Sequence, residues 1–339
     1  MAFVETLPVN WYRDREVWER ERQTIFAVDW IHVAYSYQFA ASGGYVADTI
    51  AGWPFLIHRS GDGVLRAFHN VCPHRAGPIY YDGEGCTHAL VCRYHGWSFR
   101  QDGKLARARD FGGEVPEGMD LRPIRVAEWR GFVFVCLSND TAPLHEWLGG
   151  FPEVCEPYDF EGCEFHSRTM RHMKCNWKTY GDNYLENYHV PLVHPDMAIR
   201  DLEARKSRSE RSGDPRWNYQ SAPKKEGGLV SGMYTYFWPN FALDIFPGGF
   251  AVERYVPKSL TETDLIFDYF FVPGAAQVEE IVKASEVVVD EDVLIVEAVQ
   301  RNFNAGLYQT GWLSPRHENG VADWQQMLRE RVGVIPARA

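Results

Sequence analysis

Between residues 9 and 28, Trp11, Val17, Trp18, Ile25 and Phe26 recur among charges, which predicts an amphipathic helix. From about residue 31 the texture changes to short runs of β-branched and aromatic residues separated by turns. Two examples are "GGYVADTIAGWPFLIHRSGDGVLRAFHNVC" and "LRPIRVAEWRGFVFVCLSND". The "SGDG" inside the first predicts a hairpin, because Asp-Gly accepts positive φ at little cost. "RQDGKL" (Arg100–Leu105) repeats that signal. Residues 31–140 therefore read as a small antiparallel β domain. Ala142–Tyr158 reads as a connection, after which a strand pattern passes into a helical one. Gly232–Val272 alternates strongly and predicts three or more strands of one antiparallel sheet. Gln277–Gly306 predicts a long helix with Gly306 at its C-terminal cap. The second half is thus α+β, a sheet with a long helix against it.

Composition adds bounds. The 339 residues suffice for about two domains, and the 45% hydrophobic and 24% charged fractions are those of an ordinary globular chain. Aromatic residues reach 14%, which predicts a large core and an apolar pocket. A net charge of −11, without a Lys/Arg block, argues against nucleic-acid binding. The densest basic stretch, Arg200–Arg216, is mixed with acids and reads as a solvated loop. No run of about 18 apolar residues predicts a membrane span. The charged N-terminus does not resemble a signal peptide, and seven cysteines, an odd number, suit a reducing compartment; both predict a cytoplasmic protein.

Chemistry enters with "NVCPHRAGPIYYDGEGCTHALVCRYHGWSF" (Asn70–Phe99). Cys72-x-His74 and Cys92-x2-His95 put one thiol and one imidazole on each of two loops. A structural zinc site also uses two Cys and two His, but usually groups like ligands. Here each pair is mixed. "CPHR" and "CRYHGW", with Pro73, Gly96 and Trp97, resemble the Rieske iron–sulfur motif. That resemblance implies a 2Fe–2S cluster, with Cys72 and Cys92 on one iron and His74 and His95 on the other. Neutral imidazoles in place of thiolates raise its potential. Cys86 lies between the ligand loops, and Cys136, Cys155, Cys163 and Cys175 read as buried thiols. His58, His69 and His88 fall off the spacing.

A second constellation occupies "NWKTYGDNYLENYHVPLVHPD" (Asn176–Asp196). Asp182, Asn183 and Glu186 are its candidate catalytic residues. Glu186 and His189, three apart, are expected to share a helix face. Pro191 and Pro195 break the helix and let the chain return His194 to the same point. Two neutral imidazoles meeting in this way suit a divalent metal. The long helix offers Asp290, Glu291 and Asp292 as a third ligand. Val288, Ile295, Val296 and Val299 make Asp292 an acid on an apolar stripe, but Glu291 also has apolar neighbours, so periodicity does not decide.

"DNYLENYH…H" resembles the mononuclear iron motif of the large (α) subunit of Rieske-type non-haem iron oxygenases, the aromatic-ring-hydroxylating family. The resemblance covers nearly the whole chain. It implies a two-His-one-carboxylate site for mononuclear Fe(II) at His189 and His194, and "EDVLIVEAVQRNF" matched to the family's C-terminal helix selects Asp292. It implies an N-terminal helical segment (1–30) packing on the catalytic domain, a Rieske domain (31–140) and a helix-grip-like catalytic domain (141–339). "YFWPNFALDIFP" resembles the pocket-lining region, with Tyr234, Tyr236, Trp238, Phe241 and Phe246 as candidate pocket residues. The same residues equally suit a plain core.

Many members place Asp three residues before the first iron-binding His, where this chain has Glu186. That variant resembles the subgroup acting on quaternary ammonium compounds such as betaines and carnitine, in which the acid bridges two metal centres across a subunit boundary. The implied assembly is a homotrimer. The implied partners are O2, a small-molecule substrate and a separate NAD(P)H-dependent reductase, acting directly or through a ferredoxin; no GxGxxG fingerprint follows a strand here. The expected reaction is hydroxylation or oxidative dealkylation of an N-methyl or quaternary ammonium compound, with hydroxylation or dihydroxylation of an aromatic ring as the alternative. A Rieske electron carrier and a zinc-stabilised binding protein are the non-enzyme alternatives. The first needs only residues 31–140, and the second predicts a colourless protein.

Overall fold

The computed structural model describes residues 4–200, 208–211, 213–221, 225–226, 229 and 233–333. The chain divides into two compact units, Phe26–Leu148 and Met1–Ile25 together with Gly149–Ala339.

In the first unit, the short aromatic and β-branched runs become β1 (Ile31–Tyr35), β2 (Gly44–Ile50), β3 (Trp53–Arg59), β4 (Leu65–His69) and β5 (Gly83–Cys86). After β6 (Leu90–Val91), β7 (Ser98–Phe99) and β8 (Leu105–Arg107) come β9 (Pro123–Trp129) and β10 (Phe132–Cys136). A seven-stranded antiparallel sheet runs β1-β10-β9-β4-β3-β2-β5, and β6-β7-β8 form a small second sheet. The "SGDG" hairpin forms as expected: Ser60 N donates to Val64 O at 3.0 Å, and Gly63 takes φ +82°. Leu56, Phe68, Ile79, Tyr80, Leu90, Trp97 and Phe99 pack into one core, and Cys72 and Cys92 are buried within it.

The second unit is built on another seven-stranded antiparallel sheet. Its strands are β11 (Glu164–Met173), β12 (Arg208–Arg211), β13 (Trp217–Ser221), β14 (Met233–Phe237), β15 (Phe241–Phe246), β16 (Gly249–Ser259) and β17 (Glu262–Phe271). Their order is β11-β17-β16-β15-β14-β13-β12. Gly232–Val272 thus yields four consecutive hairpin-linked strands. The basic stretch expected as a loop includes the edge strand β12, and Arg216 pairs with Asp214 at 2.9 Å; residues 201–207 and 212 of that stretch lie outside the described residues.

Side chains alternate across this sheet. One face meets Phe151 through Phe237 and Phe241, with ring centroids 5.0 and 6.3 Å away. The other carries Tyr236, Asp244, Glu253, Tyr255 and Tyr269. It is covered by α2 (Trp177–Tyr184) and α3 (Val278–Asn304), to which Tyr255 and Tyr269 bind through Tyr180 and Ser285. The buried residues of α3 are Ile281, Ser285, Val289, Asp292, Val296, Gln300 and Phe303, a stripe of helical spacing that aims Asp292 inward. Gly306 follows with φ +78°, as a helix end favours.

The predicted helix over 9–28 is shorter. A single turn at Val9–Tyr12 precedes α1 (Arg15–Glu21), which begins where the Asp14 side chain accepts from Glu16 N, and a widened turn follows over Arg22–Phe26. The stretch read as a connection holds two short helices, Leu144–Trp147 and Phe151–Cys155. α1 is joined to α2 by a fully buried ion pair, Glu21 with Lys178. α4 (Asn319–Val332) sets Trp324 edge-on against Trp177 of α2. Gly181 permits that approach, since a Cβ there would lie 2.5 Å from the Trp324 ring. No helix among the described residues is long and apolar enough to cross a membrane.

Candidate metal centres

The two Cys–His loops of the first unit are built alike. Cys72 N donates to Gly77 O and Cys92 N to Trp97 O, while Ala76 N and Gly96 N return to Cys72 O and Cys92 O. The fourth residue after each cysteine, Ala76 and Gly96, takes a positive φ of 56° and 73°. Each loop therefore folds back on its own cysteine and leaves its histidine half-buried beyond it. Asn70, which sequence reasoning passed over, pins the first loop: its amide donates to Tyr80 O and accepts from Ile79 N, each at 2.8 Å.

The four side chains sort into like pairs in space, although they are mixed in sequence. The Cys72 thiol meets that of Cys92, and burial, with that neighbour, pushes it up to about 11. The His74 and His95 rings lie 4.7 Å apart, and His74 stacks on Trp97 at 4.6 Å. His74 Nδ1 is buried without a hydrogen-bond partner, as a ligating nitrogen would be. A single zinc ion needs four donors converging on one point. Among the described residues the one group of three or more metal-type donors within 4.8 Å of each other is elsewhere, at His189, His194 and Asp292. Two thiols on one side and two imidazoles on the other suit a 2Fe–2S cluster instead. Of the other cysteines, Cys136, Cys155 and Cys175 are buried, but Cys86 is exposed and Cys163 is half-buried rather than buried; none is in a disulfide.

In the second unit α2 begins where the Asn176 side chain accepts from Lys178 N, and it ends at Tyr184. Glu186 and His189 consequently do not share a helix face. They lie in the turn that follows, where the Glu186 carboxylate accepts from the backbone N–H of Tyr188 and His189 and meets His189 Nδ1 at 2.6 Å. Pro191 sits at the start of the short helix Val190–Val193 rather than at a helix end. That helix carries the chain from His189 round to His194.

Both imidazoles turn Nε2 toward Asp292 Oδ1, at 3.6 Å from His189 and 3.0 Å from His194. Asn183 Nδ2 donates to the same oxygen at 2.7 Å. The three neighbouring acids of α3 separate by direction. Asp290 points outward to Arg171 at 2.7 Å, Glu291 accepts from His194 Nδ1 at 2.8 Å, and Asp292 faces inward. Each histidine thus has a carboxylate on Nδ1, which fixes the tautomer with Nε2 free for a metal. Burial by itself lowers the His194 pKa, but its hydrogen bonds with Asp292 and Glu291 outweigh that and raise it. Two Nε2 atoms and one carboxylate suit iron with open positions.

Asp182 is not part of this group. Its carboxylate is held by the Tyr12 hydroxyl and by Gln325 Nε2, tying the N-terminal turn to α4. The aromatic candidates also divide. Tyr234 and Phe246 lie on the helix-covered face, with Tyr234 reaching Met197 just past His194. Tyr236 shares that face but donates to Pro239 O at 2.7 Å. Trp238 is wholly buried near Trp324, and Phe241 faces the opposite side against Phe151. Unforeseen on the helix-covered face are Asp244 and Glu253, whose signal was an acid inside an otherwise apolar strand.

Comparison with known proteins identifies both domains. Residues 29–116 match the Rieske [2Fe-2S] domain, and residues 160–334 match the ring hydroxylating alpha subunit (catalytic domain). The carnitine monooxygenase oxygenase subunit of Escherichia coli (strain K12) is 31% identical, over 96% of this chain and 93% of its own. The chloroplastic choline monooxygenase of Beta vulgaris is 30% identical, over 96% of this chain and 76% of its own. The quaternary ammonium Rieske monooxygenase CntA in complex with L-carnitine superposes with a TM-score of 0.85 at 26% identity, over 98% of this chain and 96% of that one. Naphthalene 1,2-dioxygenase shares the fold, with a TM-score of 0.79 at 18% identity, over 96% of this chain and 91% of that one. The chain belongs to the ring-hydroxylating α-subunit family of Rieske oxygenases, oxidoreductases that combine a Rieske 2Fe–2S domain with a catalytic mononuclear iron domain.

Proposed function

We propose that this chain is a monooxygenase of quaternary ammonium or N-methyl compounds, hydroxylating or oxidatively dealkylating them. The observation that carries this reading is the Glu186–His189 contact, a glutamate in the position where many members have aspartate. The two relatives at 30–31% identity, named for choline and carnitine, support it. His189, His194 and Asp292 would hold the iron, and Cys72, Cys92, His74 and His95 the cluster. When bound, the cluster supplies single electrons and the iron activates dioxygen.

The chain's own residues orient and insulate. Glu186 and Glu291 hold the Nδ1 protons of His189 and His194. Asn183 restrains the Asp292 carboxylate. Glu186 is 12% exposed, so it remains open to an imidazole from a second copy of the chain, as the bridging role in a homotrimer requires. A structure of CntA has been discussed in terms of inter-subunit electron transfer, which supports the same route here. Electrons would come from a separate NAD(P)H-dependent reductase, directly or through a ferredoxin.

The test is oxygen uptake with a surrogate reductase and a panel of betaines, carnitine, choline and aromatic acids. Uptake matched by product with a quaternary ammonium member is the expected result. Turnover confined to aromatic acids would overturn the reading. Sedimentation of the iron-loaded protein should show three copies per particle.

A further inference from the structure

The sheet face covered by α2 and α3 holds two buried carboxylates, Asp244 on β15 and Glu253 on β16. Ala242 pairs with Glu253 and Asp244 with Ala251, so the two acids are diagonal neighbours on adjacent strands. Each meets a tyrosine of α2, four residues apart and so on one helix face. The Tyr184 hydroxyl lies 3.0 Å from Asp244 Oδ1 and 3.1 Å from Thr235 O, so one proton serves two acceptors. The Tyr180 hydroxyl binds Glu253. Glu253 is 2% exposed, and its Oε1 has no hydrogen-bond partner among the described residues.

Charge makes the pair unusual. Asp268, buried in the same sheet, is clamped by Arg168 and Arg254. Among the described residues, the charged side chains acting on the pair are Asp292, on both acids, and Asp244, on Glu253, all of them acidic. Burial first, and then these like charges, raise both groups, Asp244 to about 7 and Glu253 well above its usual range. A buried anion of this kind is costly until a positive charge joins it. Tyr184, which meets Asp244, directly follows Asn183, which donates to Asp292 at 2.7 Å, so consecutive residues of α2 link the pair to the candidate iron triad.

We propose that Asp244 and Glu253 are the seat of the substrate's cationic nitrogen. This deepens the quaternary ammonium reading and rests on it. A tetraalkylammonium group has no N–H to donate, so it would be held by charge and by the faces of neighbouring aromatic rings. A neutral compound of the same shape would leave the acids holding their protons and would gain nothing from their charge. The acids therefore select by charge, which an aromatic slot alone does only weakly.

The test compares choline with 3,3-dimethyl-1-butanol, its neutral carbon isostere, by calorimetric titration of the iron-loaded enzyme. The wild type is expected to bind choline at least about tenfold more tightly. In Asp244→Asn and in Glu253→Gln that ratio should fall about tenfold, with binding of the isostere and iron content unchanged. A wild type without preference for choline would overturn the proposal. So would variants that keep the ratio, weaken both ligands equally, or lose iron. Turnover of a quaternary ammonium compound by the wild type with an unchanged ratio would sink this site and leave the proposed function standing. A charge-dependent ratio without turnover of any such compound would do the reverse.

Discussion

Glu291 and His194 are joined at 2.8 Å through Nδ1, while the next residue along α3, Asp292, meets the same ring at Nε2. Two consecutive acids thus grip opposite edges of one imidazole. Only Asp292 stands where a metal would be. Asp292→Ala should abolish mononuclear iron binding. Glu291→Gln should retain the iron but weaken its affinity about 10–100-fold, as for other partners of metal-bound histidines. Iron titration followed by metal analysis distinguishes the two; equal iron loss in both would make Glu291 a ligand.

Iron stoichiometry separates the two centres. The loaded chain should hold about three irons, from a two-iron cluster and a mononuclear site. His189→Ala should retain about two, with the visible spectrum of the cluster intact and turnover lost. Cys92→Ser should retain about one and bleach. Full turnover in His189→Ala, or an unchanged spectrum in Cys92→Ser, would contradict the assignment.

Lys178 and Glu21 form an ion pair 2.5 Å long with both side chains wholly buried, and Trp177 Nε1 adds a bond to Glu21. Burial lowers the lysine and raises the glutamate, so neither charge is comfortable alone. Lys178→Met should cost about 3–5 kcal/mol, because it strands the Glu21 carboxylate. The double variant with Glu21→Leu should recover much of that loss. Denaturant titration measures both, and additive costs would contradict the pairing.

Asp182 gives a pH signature. Its burial raises the carboxyl from 3.8 to about 6, against the hydrogen bonds from Tyr12 and Gln325. Between those values the folded state keeps a proton that the unfolded chain has released. Stability therefore falls as pH rises through that window, by about 3 kcal/mol in all. Asp182→Asn removes the titration, so its stability relative to wild type should improve from pH 4 to 6 and then level off. Parallel curves for the two proteins would refute this.

Much of the site was legible because its chemistry is local. Cys72-x-His74 and Cys92-x2-His95 each form within one turn, where spacing is nearly geometry. His189 and His194 were found for the same reason, although the expected helix face between Glu186 and His189 was wrong. α2 stops at Tyr184, and Glu186 reaches His189 by capping a turn. The partners of Asp182 were not legible, because it lies within the metal motif whereas Tyr12, which donates to it, lies 170 residues away. The aromatic strand was read as one surface, but alternation sends Phe241 and Phe246 to opposite faces.

By itself the sequence determined the two candidate metal-binding motifs, the antiparallel β character of both halves and the long α3 helix, since these rest on spacing within a few residues. Only tertiary structure decided which of three consecutive acids meets the histidines, because 98 residues separate His194 from Asp292 and packing sets the rotation of α3. Tertiary structure also placed Asp244 and Glu253 side by side, with no basic side chain acting on them among the described residues. Burial and strand register create that property, and neither is written in any one segment of the chain.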